Sequence, residues 1–347
     1  MRYSSLHLEV PMVKLARRRG AVITAAVALL VIAVVASLAI GARPLSPGEV
    51  LTALFHPDDS PAATVVLDQR LPRTIVAILV GAGLAVAGVV MQALTRNPLA
   101  DPRIFGVASG ASLGVVVAIS VFGLASLSQY VWFGITGALI AGLIGFLIAQ
   151  TAARGREGNS PVTLALVGAA LDASLSAVIY GVLTTNAQSF DQYRFWVVGS
   201  VAGRKMDVAM QVLPFILIGL ILAVVIARGL DALLLGEDLA TGLGHRTGLV
   251  RFAGAAVVAL LTGAAVAAAG PIGFIGLAIP HLVRPLVGND HRWVLVTSMV
   301  AGPILLLAAD IAGRRITDGE LPAGIATALV GAPLLIWLVR RARTVTA

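Results

Sequence analysis

An all-α integral membrane protein of about ten transmembrane helices is predicted by three observations. These are the composition, the lengths of the uncharged runs and the placing of the basic residues. The 347 residues are 58% hydrophobic and only 12% charged, whereas soluble domains run near 45–50% apolar and about 25% charged. So few charges could not cover a water-soluble fold of this length, which excludes a cytosolic enzyme. The 37 glycines and the 5% aromatic content point to helices packing backbone to backbone.

Residues 21–40 are twenty consecutive uncharged residues behind Arg17, Arg18 and Arg19. That length crosses about 30 Å of hydrocarbon and exceeds the apolar region of a signal peptide, so a retained helix is predicted. Apolar segments follow at 72–94, 107–122, 131–153, 161–184, 208–227, 249–269, 273–287, 293–312 and 322–339. Segments 107–122 and 273–287 are short for a full crossing and carry Gly or Pro punctuation. Transporters place working parts in such short, broken segments. The polar stretches at 41–71 and 185–206 are too short to fold alone, so one domain over residues 1–347 is expected.

Ten crossings put both termini on one side. Arg2, Lys14, Arg17, Arg18 and Arg19 are then expected to share a face with Arg96, Arg103, Arg154, Arg156, Arg228, Arg246, Arg251, Arg284, Arg292, Arg340, Arg341 and Arg343. The excess of basic residues there places both ends in the cytoplasm, with residues 1–20 as a cytoplasmic tail. The net charge of +8 comes from 25 basic and 17 acidic residues. They sit in short clusters between apolar runs, without a continuous stripe or stacking aromatics. Topology, rather than nucleic acid, accounts for them.

Chemistry-bearing motifs are few. No cysteine is present, which excludes disulfides, thiolate zinc and thiol nucleophiles. There is no P-loop, no H-E-x-x-H and no G-x-S-x-G, so nothing supports hydrolysis within this chain. Gly106, Gly110 and Gly114 recur every four residues, and Gly270, Gly273 and Gly276 every three, as close-packing stripes do. GAGLAVAG at 81–88 superficially looks like a dinucleotide loop, but it lies inside an apolar run with no preceding strand, and packing is its reading.

Asp172 falls about twelve residues into its segment, near mid-bilayer. A carboxyl there must face protein or water. A substrate path and a buried hydrogen bond to Ser or Thr on a neighbouring helix are both open. Asp310, close to Arg314 and Arg315, reads as a structural ion-pair partner. Arg70 and Arg73 flank Leu71-Pro72 at a helix start, where cations oppose the dipole. Either a negatively charged periplasmic partner or plain solvation would account for them and for Arg314 and Arg315. The loop 229–246, GLDALLLGEDLATGLGHR, reads as two short amphipathic turns stopped by Gly236 and Gly242. It is longer than a connection needs, so it either docks a partner or lies passively at the interface.

RLPRTIVAILVGAGLAVAGVVMQALTRNPLADPRIFGVASGASLG (70–114) closely resembles the FecCD-type permeases of iron–siderophore, haem and vitamin B12 ABC importers. So do LGEDLATGLG (235–244), GPIGFIGLAIPHLVR (270–284) and ELPAGIATALVGAPLLIWLV (320–339). The resemblance runs in order from about residue 20 to 343. It implies a type II ABC importer permease in a bacterial cytoplasmic membrane. The implied partners are cytoplasmic ABC ATPase subunits, a periplasmic or lipid-anchored substrate-binding protein and a second permease, a copy or a paralogue. ATP and Mg would be bound by the ATPase, with no cofactor or metal in this chain.

By the same resemblance, Leu235, Gly236, Glu237, Asp238, Leu239, Ala240, Gly242, Leu243 and Gly244 form the loop that couples to the ATPase. Arg70, Arg73 and Arg314 meet acidic residues of the binding protein. Small residues at 161–181 and 322–333 would suit a wide pathway. Ferric siderophore is the expected cargo, with haem and cobalamin as alternatives. From another class, an ion-coupled secondary transporter using Asp172 is the competing reading. A membrane-embedded sensor is disfavoured, for no output domain is present.

Overall fold

The computed structural model describes residues 12–41, 44–56, 58–153, 161–242, 244, 246–316 and 320–345. Seven helices among them are long and apolar enough to cross a membrane, and three shorter apolar helices, Val107–Ser120, Ile275–Val287 and Ala323–Pro333, complete the ten expected segments. In chain order the crossing helices are α1 (Met12–Ala39), α4 (Leu71–Thr95), α5 (Val107–Ser120), α6 (Leu127–Ala153), α7 (Pro161–Leu183), α9 (Met206–Leu234), α11 (Thr247–Ala269), α12 (Ile275–Val287), α13 (His291–Ile316) and α14 (Ala323–Val345). The remaining helices are α2 (Pro47–Phe55), α3 (Pro61–Thr64), α8 (Ala187–Trp196) and α10 (Glu237–Gly242). The face bearing Arg17–Arg19 is here the proximal face, and the face bearing the C-terminus of α1 the distal one.

The structure adds elements that periodicity does not announce. The polar stretch 41–71 folds into α2, α3 and a π-helical turn, Val65–Arg70, that runs straight into α4. Ser46 and Glu49 form a reciprocal capping box at the start of α2, satisfying two orphan amides at once. The other polar stretch contains α8, opened by the Asn186 side chain accepting from the Ser189 amide. α9 continues to Leu234, so the first of the two turns expected in 229–246 belongs to it.

α4 is the central helix, with 89% of its most apolar stretch buried. Its glycines explain how neighbours come so close. A Cβ on Gly81 would strike the backbone of Gly302 and Pro303 in α13, and one on Gly88 would strike Gly276 in α12. With lipid outside, such backbone contact supplies the van der Waals attraction that apolar side chains cannot. Gly110 on α5 likewise meets Gly137 of α6, and Gly114 meets the Phe133 carbonyl.

α1 and α7 each bury only 17% of their most apolar stretch, yet they show different exposed faces. α1 exposes Val27, Leu29, Val31, Ile32 and Val35, a surface suited to hydrocarbon. α7 exposes Leu166, Val178 and Tyr180 towards its ends, but around Asp172 its exposed residues are Ala169, Ala170, Ala173, Ser174 and Ala177. A carboxyl among small residues is unsuited to lipid, so this face of α7 turns to protein or water.

Candidate functional site

Three places carry the polar side chains, one at each face and one at mid-depth. On the distal face, Arg70 and Arg73 lie three residues apart at the α4 start, and Asp310 and Arg314 lie four apart on α13. These spacings put each pair on one helical face. Arg73 donates to Asp310 from Nη2 (2.7 Å) and Nε (3.0 Å), and from Nη1 to Glu320 (2.9 Å). Arg314 Nη2 donates at 2.5 Å to Asp310 Oδ2, the oxygen that also accepts from Arg73 Nε. Asp310 is 1% exposed, so one buried carboxylate binds two guanidinium groups.

The same arginines close the C-terminus of α1. Arg70 Nη1 donates to the carbonyls of Leu38 (2.7 Å) and Ala39 (2.9 Å), and Arg314 Nη1 to those of Ser37 (2.7 Å) and Ile40 (2.8 Å). Those carbonyls have no partner within their helix, and cations there complement its dipole. The sequence reading considers Arg70 only against the dipole of α4. Arg70 sits at the N-terminus of α4 and Arg314 at the C-terminal end of α13, but both act on the C-terminus of α1. Arg70, Arg73 and Arg314 line one cavity of about 460 Å³ with Arg204, Lys205 and Glu320. Burial pushes the Arg204 guanidinium below its ordinary value, partly opposed by Tyr130. Arg315 is exposed at the end of α13.

At mid-depth a second cavity, of about 470 Å³, opens beside α5, α7 and α8. Its depth follows from α12. Thirteen residues span only about 20 Å, and the first turn of α12 lies against the middle of α4, where Gly276 meets the Leu84 carbonyl. Pro102 packs on Gly276, and the Arg103 guanidinium lies beside Gly273. The 3₁₀ turn Pro102–Phe105 is thereby lifted into the bilayer. Non-helical backbone at this depth is tolerated where it lines a cavity.

Asp172 reaches this cavity and accepts a hydrogen bond from the Ser109 hydroxyl of α5. Asp172 thus bonds a serine on a neighbouring helix and also faces the cavity. Arg103 grips Asp101 through Nε (2.8 Å) and Nη2 (3.1 Å). Sequence reasoning missed Asp101 and Arg103, which look like loop charges. It also missed Tyr193, which α8 brings to the cavity wall.

On the proximal face α10 occupies Glu237–Gly242. Gly236 (φ 105°) and Gly244 (φ 84°) flank it, in conformations that side chains rarely adopt. Ala240 is buried, whereas Leu235 and Leu239 are 56% and 64% exposed. Leu243 lies outside the described residues. Asp231, in the last turn of α9, accepts from His291 Nδ1 (2.6 Å) and from the His291 amide (3.1 Å). This contact ties the end of α9 to the start of α13.

Comparison with known proteins agrees with this architecture. The chain is 45% identical over 313 residues to the ferric enterobactin transport system permease protein FepD of Escherichia coli (strain K12), covering 90% of this chain and 93% of that one. It is 42% identical over 335 residues to the iron(3+)-hydroxamate import system permease protein FhuB of Bacillus subtilis (strain 168), covering 94% and 85% respectively. A solved structure described as an inward-facing metal-chelate type ABC transporter superposes with a TM-score of 0.82 at 32% identity, covering 93% of this chain and 99% of that one. The ten crossings are those of a type II ABC importer permease. A profile of the FecCD transport family matches residues 29–341, and the chain belongs to that family.

Proposed function

We propose that this chain is the membrane-spanning subunit of a binding-protein-dependent ABC importer for a ferric siderophore. The observation that carries the proposal is the mid-depth cavity, bordered by a short helix and a lifted turn, in a chain without a nucleotide-binding motif. A pathway is present; a motor is not. The names of the relatives FepD and FhuB point to iron chelates.

In this reading the proximal face is cytoplasmic and holds both termini. α10, with Leu235 and Leu239 exposed beside it, seats in a partner ATPase that binds ATP and Mg. Exposed leucines flanked by glycine turns suit a docking contact whose core excludes water. The distal cavity meets acidic side chains of a substrate-binding protein through Arg70, Arg73 and Arg314, an electrostatic match that speeds encounter and fixes register. A second permease subunit completes the pathway. ATP-driven closure of the ATPases moves α10. The motion reaches α9 directly and α13 through the Asp231–His291 contact.

The test is reconstitution in liposomes with candidate ATPase and binding proteins. ATP-dependent uptake of a ferric chelate, lost when residues 236–243 are deleted, is the expected result. Accumulation by this chain alone on an ion gradient, abolished by Asp172→Asn, would favour a secondary transporter instead.

A further inference from the structure

The mid-depth cavity has a definite sign. Its charged lining residues are Asp101, Arg103 and Asp172. Arg103 is committed to Asp101 by two hydrogen bonds, and that pair is neutral overall. Asp172 is held by the uncharged Ser109 hydroxyl, and among the described residues no cation forms an ion pair with it. Arg103 lies within Coulombic reach of Asp172, yet one cation facing two carboxylates leaves one negative charge over. On α8, Asp191 and Arg194 pair with each other at 3.2 Å and are exposed, so they do not alter the balance. The remaining polar wall is hydroxyl, from Ser109, Ser112, Ser176, Tyr180 and Tyr193.

A chelate crossing this cavity leaves bulk water, where charges are well screened, for a setting of lower effective dielectric. A like charge near Asp172 is opposed there, and an opposite charge is favoured. Phenol rings add a face that attracts cations, and the hydroxyls can replace the water bound to a chelate's oxygen-rich surface. Identity does not settle the cargo's charge. One relative's name points to a tris-catecholate and the other's to hydroxamates, at 45% and 42% identity.

We infer that Asp172 makes the cavity a charge filter, passing neutral or cationic ferric trihydroxamates and opposing trianionic ferric tris-catecholates. This rests on the importer reading given above and names the substrate class of that pathway. Asp172 acts here as a specificity-determining residue.

The experiment uses the full importer, with its ATPase and binding protein, in liposomes. Uptake is measured for ferrioxamine B, a monocationic trihydroxamate, and for ferric enterobactin, a trianionic tris-catecholate. The binding protein is the same throughout, so its own preference cancels in the ratio of the two rates between variants. Asp172→Asn is expected to lower the cation-to-anion ratio by about tenfold, and Asp172→Lys by more, the scale of a single-charge change in a moderate dielectric. Asp172→Glu keeps the wild-type ratio. Where the binding protein delivers only ferrioxamine B, Asp172→Lys slows uptake about tenfold and Asp172→Glu does not. Co-purification with the ATPase shows that each variant folds. If the lysine variant fails to assemble, the asparagine variant carries the test.

An unchanged ratio, or wild-type uptake of ferric enterobactin alone, overturns the charge filter while leaving the importer reading intact. Absence of ATP-driven uptake of either chelate overturns the importer reading and the filter with it.

Discussion

Arg73 grips Asp310 in a two-pronged contact, 2.7 Å from Nη2 to Oδ1 and 3.0 Å from Nε to Oδ2, joining the first turn of α4 to the last turns of α13. Arg314 binds the same carboxylate at Oδ2. The three groups form one unit, and Asp310 is its centre.

Removing that centre takes the buried carboxylate from two guanidinium groups with little access to water, leaving Arg73 with Glu320 and Arg314 with the α1 carbonyls and the Ser37 hydroxyl. Asp310→Ala is therefore expected to destabilise the protein by about 3–5 kcal/mol, the usual cost of removing one partner of a buried ion pair. A thermal melt of the detergent-solubilised protein reads this directly. A midpoint equal to wild type would show that the arginines do not depend on Asp310.

Close approach of α4 and α12 depends on Gly88, where any side chain meets the backbone of Gly276. Gly88→Val should cost about 1–3 kcal/mol or more, as overpacking does, and should lower the yield of folded protein. Gly181 on α7 has nothing within 4 Å of an added Cβ, so Gly181→Ala should leave the yield unchanged. Equal losses at both sites would refute the packing account.

Leu239 is 64% exposed on α10 and contributes little to the fold. In the importer reading it lies at the centre of the ATPase contact. Leu239→Asp should weaken association about thirtyfold, the effect of losing a 2 kcal/mol hot spot, with no change in the melt of the permease alone. Titration of the ATPase onto the permease in nanodiscs measures this. Unaltered affinity would place the contact elsewhere.

Asp231 and His291 connect the last turn of α9, just before α10, to α13. Asp231→Ala removes that tie, because the His291 ring and amide both bond to its carboxylate, and leaves the α10 surface untouched. ATPase binding should persist, while stimulation of hydrolysis by the binding protein falls several-fold. Stimulation at the wild-type level would show that α13 does not carry the signal.

The crossing helices were legible because lipid imposes a length and a lack of charge that a sequence displays plainly. α5 and α12 stood out as short for the same reason. α8 was not legible, because AQSFDQYRFW has little apolar face and owes its start to the Asn186 cap. The extension of α9 to Leu234 was hidden because the apolar run ends at 227, and Gly229, which begins the expected loop, instead packs against Val250 of α11.

At the site, Asp310 and Arg314 were foreseeable from their spacing. Arg73, 237 residues away from Asp310 in sequence, was not. Asp101 and Arg103 gave no sign of lying at bilayer depth, because only the packing of Pro102 on Gly276 lifts them there. Tertiary contact, not local pattern, assigns those charges their role.

α13 runs 26 residues, about 39 Å, and is fastened near both ends, by Asp231 on the proximal face and by Arg73 on the distal one. A strut held this way links the two faces reciprocally. Whatever free energy an event at one end gains by choosing one setting of α13 must reappear, equal in size, as altered affinity at the other. In the importer reading, nucleotide occupancy and external docking read each other through a single rod of backbone.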